Sequence, residues 1–557
     1  MQNKNFMSTK MVVISLMAIL ILQLGMMIYF GNQKSGYHID EIATYGLSNF
    51  PNGFVTRMDG ILEKWIDGQF FYNVLSVEGD ERFNYEMTYH NQEGDVHPPL
   101  YYFVIHTVAS IFKGTFSKWI GILPNMVFCM LTTVVLYMIS GKITDNIPLS
   151  LIVTMTWGLS IGAMTSAMFI RMYAMLTLFC GLLVLVHLNA VDEVIKTKKL
   201  GNKTLFFLLI CTVLGILTQY YFLIFCFFLC GCFFFYLLIN KKWKTLWKYT
   251  LIEFGAIGIS YCIFPEMYKH IFSGYRGKEA FSNFSQSMQD IENLKKIFSI
   301  FNRQLFNGWG KFLFFSLIAI ILFLLITRVF FKIIIEQKEE KIFVIIRLQD
   351  KKQFSIEISK ENILLTVLVT VSLGYTLIVV KIAPYQTDRY YMCIYPILVL
   401  VTIDIIYKIL SHFSQSELKL FSIIGICFIS ITLLSYKSQM VGYVNRSYVQ
   451  RTEALEKYYG LPAIMLNGYG YDAAPDAWLY ECGNYSAVYR CAKKQLDGIA
   501  NAAESYDLSN GFVIVAYGYS ETEDELFQKL DEYVDIGSHE LITKIGCPVY
   551  FCTLEGT

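Results

Sequence analysis

The sequence predicts an α-helical polytopic membrane protein with a small α/β domain at its C-terminal end. Apolar residues make up 55% of the chain and charged residues only 16%, whereas soluble domains carry about 25% charged residues. Apolar runs long enough to cross a bilayer recur through residues 1–436, and residues 437–557 are more polar. The net charge of +1 argues against a nucleic-acid partner.

The apolar runs predict eleven transmembrane helices, because a span needs about 20 mainly apolar residues. The first run is longer than the apolar part of a signal peptide and lacks a small-residue cleavage site, so we expect it to be retained as the first span. The runs lie at about 11–31, 119–140, 148–169, 173–192, 204–219, 221–239, 249–265, 311–334, 363–382, 390–410 and 418–436.

The lysine-rich loops predict how the chain is oriented in the membrane. "KTKKLGNK" (196–203) and "NKKWKTLWK" (240–248) should lie in the cytoplasm by the positive-inside rule. Both do so only if residues 97–112 do not cross the membrane, so we expect that segment to lie on the outer leaflet or dip into it. The prediction is a multi-pass cell-membrane protein with a cytoplasmic N-terminus and an extracytoplasmic C-terminal domain.

The same pattern divides the chain into domains. The membrane domain, 1–436, contains a large first external loop (32–117) and a second external loop (266–310) with two amphipathic helices. Alternating residues at 336–362 predict a cytoplasmic β-hairpin insert. Residues 437–557 combine strand-like and helical runs, which predicts an extracytoplasmic α/β domain.

The sequence alone does not decide whether the four cysteines of the tail form disulfides. Nine of the 13 cysteines lie in apolar runs, where they are expected to be small buried hydrophobic residues. The other four either form two disulfides outside the cell or remain free thiols; they are Cys482, Cys491, Cys547 and Cys552.

An acid pair, Asp40 and Glu41, follows the first span directly. A carboxylate at the membrane surface could act as general base toward a hydroxyl or amine, and two adjacent acids would raise one of the two pKa values. The alternative is a pair of solvated loop acids. His38 could join them as a metal ligand, but an isolated histidine is more often a packing residue.

A second candidate lies in "VHPPLYY" (96–102), where the two prolines begin a helix. His97 faces the first loop as a hydrogen-bonding group or ligand. The alternative is a simple helix entry with interfacial tyrosines.

Basic residues at the outer ends of the spans form a third group. Arg171 and Arg389 emerge on the same predicted face as the acid pair, and guanidinium groups bind phosphate bidentately. Either arginine could instead extend to lipid headgroups. In the 266–310 loop, Tyr275, Arg276 and Lys278 could contact phosphate or sugar, although this loop could equally be an interfacial brace.

Taken together, these segments resemble the membrane glycosyltransferases of GT-C fold, and most closely the bacterial glycosyltransferase family 39, or protein O-mannosyltransferase-like, group. The resemblance rests on the acid pair, "HPPLYY", "FIRMY" and "DRYYMCIYP", and it covers residues 11 to about 410. It implies an inverting hexosyl- or pentosyltransferase that uses a polyprenyl phosphate-linked sugar at the outer face of the membrane. The acceptor, whether protein, lipid or envelope glycan, stays open.

The resemblance also implies roles for individual residues. Asp40 would deprotonate the acceptor with Glu41 beside it, Arg171 and Arg389 would hold the donor phosphate, and His97 would lie at the donor end. The predicted donor-binding set is completed by Tyr173, Gln219, Tyr220, Arg276 and Tyr390.

Two departures from the family argue against a metal cofactor. "FIRMYAM" has no acidic residue where oligosaccharyltransferases have metal ligands, and Gln219 stands where relatives often have histidine. We therefore predict no cofactor, with a divalent metal as the less favoured alternative.

The main competing function is a transporter or flippase of lipid-linked or polar substrates. Such proteins have discontinuous spans with polar residues at the bilayer midplane and an internal repeat. The sequence shows few charges within the spans and no clear repeat, so the enzyme is favoured.

Overall fold

The computed structural model describes residues 8–53, 60–285, 290–306, 308–310, 331–338, 341–348, 353–358, 360–411, 416–437 and 441–555. Helices dominate the membrane domain, as the apolar runs predict. They are α1 (Thr9–Gln33), α2 (Ile39–Asn49), α3 (Gly68–Leu75), α4 (Tyr85–Glu93), α5 (Leu100–Ile111), α6 (Lys118–Thr144), α7 (Ile147–Gly158), α8 (Ile161–Met168), α9 (Tyr173–Thr197), α10 (Asn202–Thr218), α11 (Tyr221–Ile239), α12 (Trp243–Ile263), α13 (Tyr275–Ser285), α14 (Asp290–Phe306), α15 (Lys360–Ile382), α16 (Tyr395–Ser411) and α17 (Glu417–Lys437).

Within the described residues, seven helices are long and apolar enough to cross a membrane. They are α1, α6, α9, α11, α15, the segment Asp388–Ser411 that includes α16, and Glu417–Leu434 of α17. The pair α7 and α8, bent by 46°, can form one more span. Together these match eight of the eleven predicted runs and confirm a polytopic α-helical membrane protein.

The other three predicted spans are not among these helices. Helix α10 has only 17 residues, and α12 includes Lys248 and Glu253, which lower its hydropathy. Of the predicted run at 311–334, residues 311–330 lie outside the described residues, and Phe331 already begins a strand.

Helix α5 is the segment that the charge pattern excludes from the spans. Its 12 residues rise about 18 Å, well short of the roughly 30 Å hydrocarbon core. Tyr101, Tyr102 and Ile105 are fully buried, and the helix packs against α2 and α6. Helix α5 therefore supports α2 from its buried side.

The predicted pair of amphipathic helices is present as α13 and α14. Phe281, Phe284 and Phe298 are each at least half exposed, whereas Ile297 is only 1% exposed. An apolar exposed face on such helices fits a position at the membrane surface.

The C-terminal part forms a six-stranded sheet in the order β1-β6-β5-β7-β9-β8. Strand β5 is parallel to β6 and β7, and the outer pairings are antiparallel. The first strand comes from the segment between α1 and α6. The strands are β1 (Trp65–Asp67), β5 (Ala463–Asn467), β6 (Ala487–Arg490), β7 (Phe512–Tyr517), β8 (Ile536–Thr543) and β9 (Val549–Leu554); the helices are α18 (Tyr448–Leu455), α19 (Leu479–Cys482), α20 (Gly498–Ser505) and α21 (Glu523–Leu530).

Two further sequence expectations can be compared directly with the structure. The insert predicted as a hairpin contains three antiparallel strands, β2 (Phe331–Lys338), β3 (Lys341–Leu348) and β4 (Gln353–Ile358). The four tail cysteines are buried free thiols, so the disulfide alternative is not the one that the structure shows.

Candidate active site

The acid pair begins helix α2, where the two carboxylates have different surroundings. His38 is the N-cap residue: its Nδ1 accepts a hydrogen bond from the Asp40 N–H, and Glu41 Oε2 accepts from the His38 N–H at 2.7 Å. This reciprocal capping fixes the first turn. Acids also suit a helix N-terminus because of the helix dipole.

Glu41 is fully buried and does not line the cavity described below. Both of its oxygens lie 3.0 Å from Lys34 Nζ, and Oε1 accepts a hydrogen bond from the Ile170 N–H at 2.8 Å. Lys34 Nζ also donates to the Tyr443 carbonyl. Glu41 therefore joins the end of α1, the start of α2 and the turn before Arg171, and its lone pairs are occupied by these contacts.

Asp40 is partly exposed and faces the cavity. Its Oδ2 accepts a hydrogen bond from Arg389 Nη1 and lies 3.5 Å from His38 Nδ1. Burial alone would raise the pKa of Asp40, but Arg171 and Arg389 outweigh it and hold that pKa well below its usual range. Asp40 is therefore an ionised carboxylate that is paired with a guanidinium group.

Arg171 lies in the short turn between α8 and α9 and is 4% exposed. Its Nη1 donates to the Asp40 carbonyl, Thr44 Oγ1 and Tyr102 Oη at 3.0–3.3 Å, and Nη2 lies 3.2 Å from His97 Nε2. No carboxylate side chain is paired directly with this guanidinium among the residues that the structure describes. Its charge is therefore available to a bound anion.

His97 connects Arg171 to an acid that the sequence analysis overlooked, Asp95. His97 Nδ1 lies 2.8 Å from Asp95 Oδ2, so we assign the proton to Nδ1 and leave Nε2 to accept from Arg171. Burial, helped by Arg171, lowers the pKa of His97 despite the opposing effect of Asp95. The histidine is therefore neutral and orients the arginine.

Arg389 is the second residue of the 3₁₀ segment Asp388–Ile394 and is surrounded by aromatic rings. Its guanidinium carbon lies 5.9, 5.4 and 5.3 Å from the ring centroids of Phe169, Tyr385 and Tyr390, within cation–π range. Nη2 donates to the Tyr385 hydroxyl. These contacts hold the arginine beside Asp40.

One cavity of about 420 Å³ brings together nine of the ten predicted site residues. Leu223, Ile224 and Ile382, at the ends of two spans, give it an apolar side. Glu41 is the exception, for the reason given above, and the roles of the other nine stay predictions. The nine are Asp40, His97, Arg171, Tyr173, Gln219, Tyr220, Arg276, Arg389 and Tyr390.

Two further predicted residues that line the cavity, Tyr220 and Arg276, have partners of their own. The Tyr220 hydroxyl lies 2.9 Å from His270 Nδ1. Arg276, on α13, forms an exposed ion pair with Glu279 at 2.7 Å. Because α13 contributes part of the lining, the amphipathic loop closes one side of the cavity.

Three further residues that no sequence pattern singled out line the cavity: Asp95, His270 and Tyr385. Asp95 stands two positions before His97, so its proximity to "HPP" was an available signal. His270 and Tyr385 lie in connecting segments with no local pattern, and only the tertiary structure brings them to the cavity.

A metal-binding arrangement is not formed by the cavity's described residues. The one group of three closely spaced His, Cys, Asp or Glu ligand atoms found among the described residues lies elsewhere, within α9, α11 and α12.

No protein-family model and no curated protein sequence matches the chain. Its structure is similar to that of ArnT from Cupriavidus metallidurans bound to undecaprenyl phosphate, with a TM-score of 0.52, 9% identity and coverage of 99% of both chains. ArnT from the same organism in the apo state gives a TM-score of 0.50 at 9% identity, covering 96% of this chain and 98% of that one. The chain has a GT-C fold. At this identity the GT-C similarity shows the architecture alone, and the chemistry has to be argued from the cavity.

Proposed function

We propose that this protein is an inverting glycosyltransferase that moves a hexose or pentose from a polyprenyl phosphate carrier to an acceptor at the outer face of the membrane. The observation that carries the proposal is the convergence of Asp40, His97, Arg171 and Arg389 on one cavity. These residues come from four segments that are distant in the sequence. The bound undecaprenyl phosphate of the GT-C neighbour supports a carrier of this class.

The proposed reaction needs a base and an anion site on opposite sides of one carbon atom. The acceptor hydroxyl or amine attacks the anomeric carbon, the bond from that carbon to the phosphate oxygen breaks, and the electron pair leaves with the phosphate. Asp40 takes the acceptor proton. Arg171 and Arg389 stabilise the charge that develops on the leaving phosphate.

The ion pair between Asp40 and Arg389 gives the donor a second role. A phosphate that binds Arg389 competes with Asp40 for the same guanidinium group. Partial neutralisation of the arginines by the phosphate raises the pKa of Asp40 and makes it a better base. The base would then be activated when the donor is bound.

The cavity's mixed lining suits a lipid-linked donor. A polyprenyl chain loses about 0.8 kcal/mol for each buried CH₂ that leaves the bilayer, so the reacting carbon has to be reached at the membrane surface. Leu223, Ile224 and Ile382 would face the carrier, while the charged groups face the phosphate and sugar. Glu41 is assigned to positioning, since Lys34 and two backbone N–H groups occupy its carboxylate.

The test uses the purified full-length chain in detergent with a panel of undecaprenyl phosphate hexoses and pentoses. Released undecaprenyl phosphate is measured by mass spectrometry for the wild type and for Asp40→Asn. We expect turnover of at least one donor and a loss of roughly 10²–10⁴-fold in the variant. Asp80→Asn, an exposed acid of the same loop, is the matched control and should behave as wild type. A wild type that turns over no donor, or an Asp40→Asn variant at the wild-type rate, would contradict the proposal.

A further inference from the structure

Three polar side chains meet inside the helical bundle, away from the cavity. They are His187 of α9, Cys230 of α11 and Glu253 of α12, and their ligand atoms all lie within 4.8 Å of one another. His187 is 14 residues along α9 from the cavity residue Tyr173, which is about 21 Å of helix. Ionisable residues within membrane spans are costly and usually have a function.

We propose that His187, Cys230 and Glu253 bind a divalent transition-metal ion, for which Zn²⁺ is the best fit. The thiolate, imidazole and carboxylate are all zinc ligands, and donors around one tetrahedral zinc lie roughly 3.4–3.8 Å apart. His187 Nε2 and Cys230 Sγ are already 3.8 Å apart. A small side-chain rotation brings the carboxylate into the same range.

The histidine has the tautomer that a metal needs. His187 Nδ1 lies 2.8 Å from the Leu183 carbonyl oxygen, which can only accept, so Nδ1 carries the proton. The lone pair of Nε2 therefore points into the cluster. A hydrogen bond from the second ring nitrogen to a carbonyl is the usual support for a metal-bound histidine.

Glu253 supplies the second, independent observation. Its side chain is 9% exposed, Oε2 accepts a hydrogen bond from Thr212 Oγ1 at 2.9 Å, and Oε1 has no hydrogen-bond partner among the described residues. A buried carboxylate oxygen without a partner is expensive. A cation bound there would satisfy it.

Charge balance also favours a divalent ion. One thiolate and one carboxylate contribute two negative charges and the imidazole none, so a bound M²⁺ leaves the site neutral inside the bilayer. Binding releases the thiol proton. The Tyr249 hydroxyl, 2.9 Å from His187 Nε2, is close enough to rearrange into the fourth position, and as a neutral ligand it keeps this charge balance.

The competing interpretation is a polar cluster held by hydrogen bonds alone, in which Tyr249 donates permanently to His187. The two interpretations differ in what Co²⁺ does. Cobalt replaces zinc in such sites, and a bound thiolate gives it an intense near-ultraviolet charge-transfer band.

The experiment uses the full-length chain in detergent, stripped with a chelator and titrated with Co²⁺, together with zinc analysis of the protein as purified. We expect about one zinc per chain, a thiolate–cobalt band that saturates at one equivalent, and its loss in Cys230→Ser. Cys232→Ser, on the same helix and outside the cluster, should keep the band. Glu253→Gln should weaken cobalt binding at least tenfold.

The outcomes decide between the interpretations even if one variant fails to fold. A wild-type protein without stoichiometric zinc and without a cobalt band overturns the proposal. So does a band that survives in Cys230→Ser. The readouts do not use transferase activity, so the metal proposal stands or falls independently of the proposed function.

Discussion

At the scale of single residues, the central feature is that Asp40 shares Arg389 with the expected substrate phosphate. The carboxylate is held ionised by two guanidinium groups. A carboxylate in this environment is a weak base until an anion binds the two guanidinium groups. Under the proposed function, the donor phosphate would therefore have to bind before Asp40 can act on the acceptor.

Arg389→Lys tests the phosphate site. A lysine keeps the positive charge but loses the planar, bidentate geometry and the stacking on Tyr385 and Tyr390. We expect kcat/KM for the polyprenyl phosphate sugar to fall roughly 10²–10³-fold, measured by initial rates over a range of donor concentrations. Lys295→Arg, on the exposed surface of α14, should change the rate little. A lysine variant with wild-type kinetics would remove Arg389 from the phosphate site.

The pH dependence of the reaction tests the state of His97. Its pKa lies below the ordinary value of 6.5, because burial and Arg171 both disfavour the imidazolium. The pKa of Asp40 is also lowered, so both groups keep their working form as the pH falls to 6.5. We expect kcat/KM to be flat between pH 8 and 6.5 and to decline only below that range. An acid limb with a midpoint above pH 6.5 would contradict the lowered pKa of His97, and a rate that rises as the pH falls through 6.5 would show that His97 works as a cation.

At the scale of elements, α2 is held in place by one buried ion pair at its start. Lys34 and Glu41 are 2% and 0% exposed, and their contacts reach the turn before Arg171 and the segment around Tyr443. The Glu41 carboxylate thus positions both parts of the proposed site, the base Asp40 and the phosphate-binding Arg171.

Glu41→Gln should therefore destabilise the protein. The change leaves Lys34 buried without its counter-charge, which costs about 3–5 kcal/mol. Unfolding midpoints of the purified chain in denaturant measure it, and the double variant Lys34→Met/Glu41→Gln should recover part of the loss. Glu521→Gln, which breaks an exposed pair with Lys529, should cost less than about 1 kcal/mol. Equal effects at the two positions would contradict the assigned role.

Element lengths were easier to predict from the sequence than the surroundings of individual side chains. Long apolar runs predict most spans because bilayer thickness fixes their length. Asp40 and Glu41 could not be told apart, since neighbours on a helix point about 100° apart and only tertiary contacts decide which one is buried. The His187, Cys230 and Glu253 cluster has no recognisable spacing, because its ligands come from three helices. The lining residues that carried a local motif, such as His97, were predictable.

At the scale of the whole molecule, β1 joins the loop between α1 and α6 to the tail sheet. Its three residues pair with β6, with Ile66 opposite Val488. Backbone pairing requires both segments to lie on the same side of the membrane, so an even number of spans must separate them. The ten spans predicted after the first satisfy this condition, and a crossing by residues 97–112 would violate it.

A cross-link tests that pairing in the membrane. Gly68 N–H donates to the Ser486 carbonyl, so the adjacent pair of Asp67 and Ala487 is not hydrogen-bonded, and such side chains approach most closely. We expect Asp67→Cys/Ala487→Cys to form a disulfide on oxidation, detected as a linked peptide by mass spectrometry. Asp80→Cys/Ala487→Cys should give none. If the first disulfide does not form, β1 and β6 are not paired in the membrane.

The same three-residue strand has a consequence for biosynthesis. Residue 67 is made 420 positions before its partner at 487, and at about 5–20 residues per second the ribosome needs roughly 20–80 s to cover that stretch. Throughout that interval β1 has no partner strand. The six-stranded sheet can be completed only after the last span has been inserted. A chain that ends before residue 487 would keep this strand without its partner.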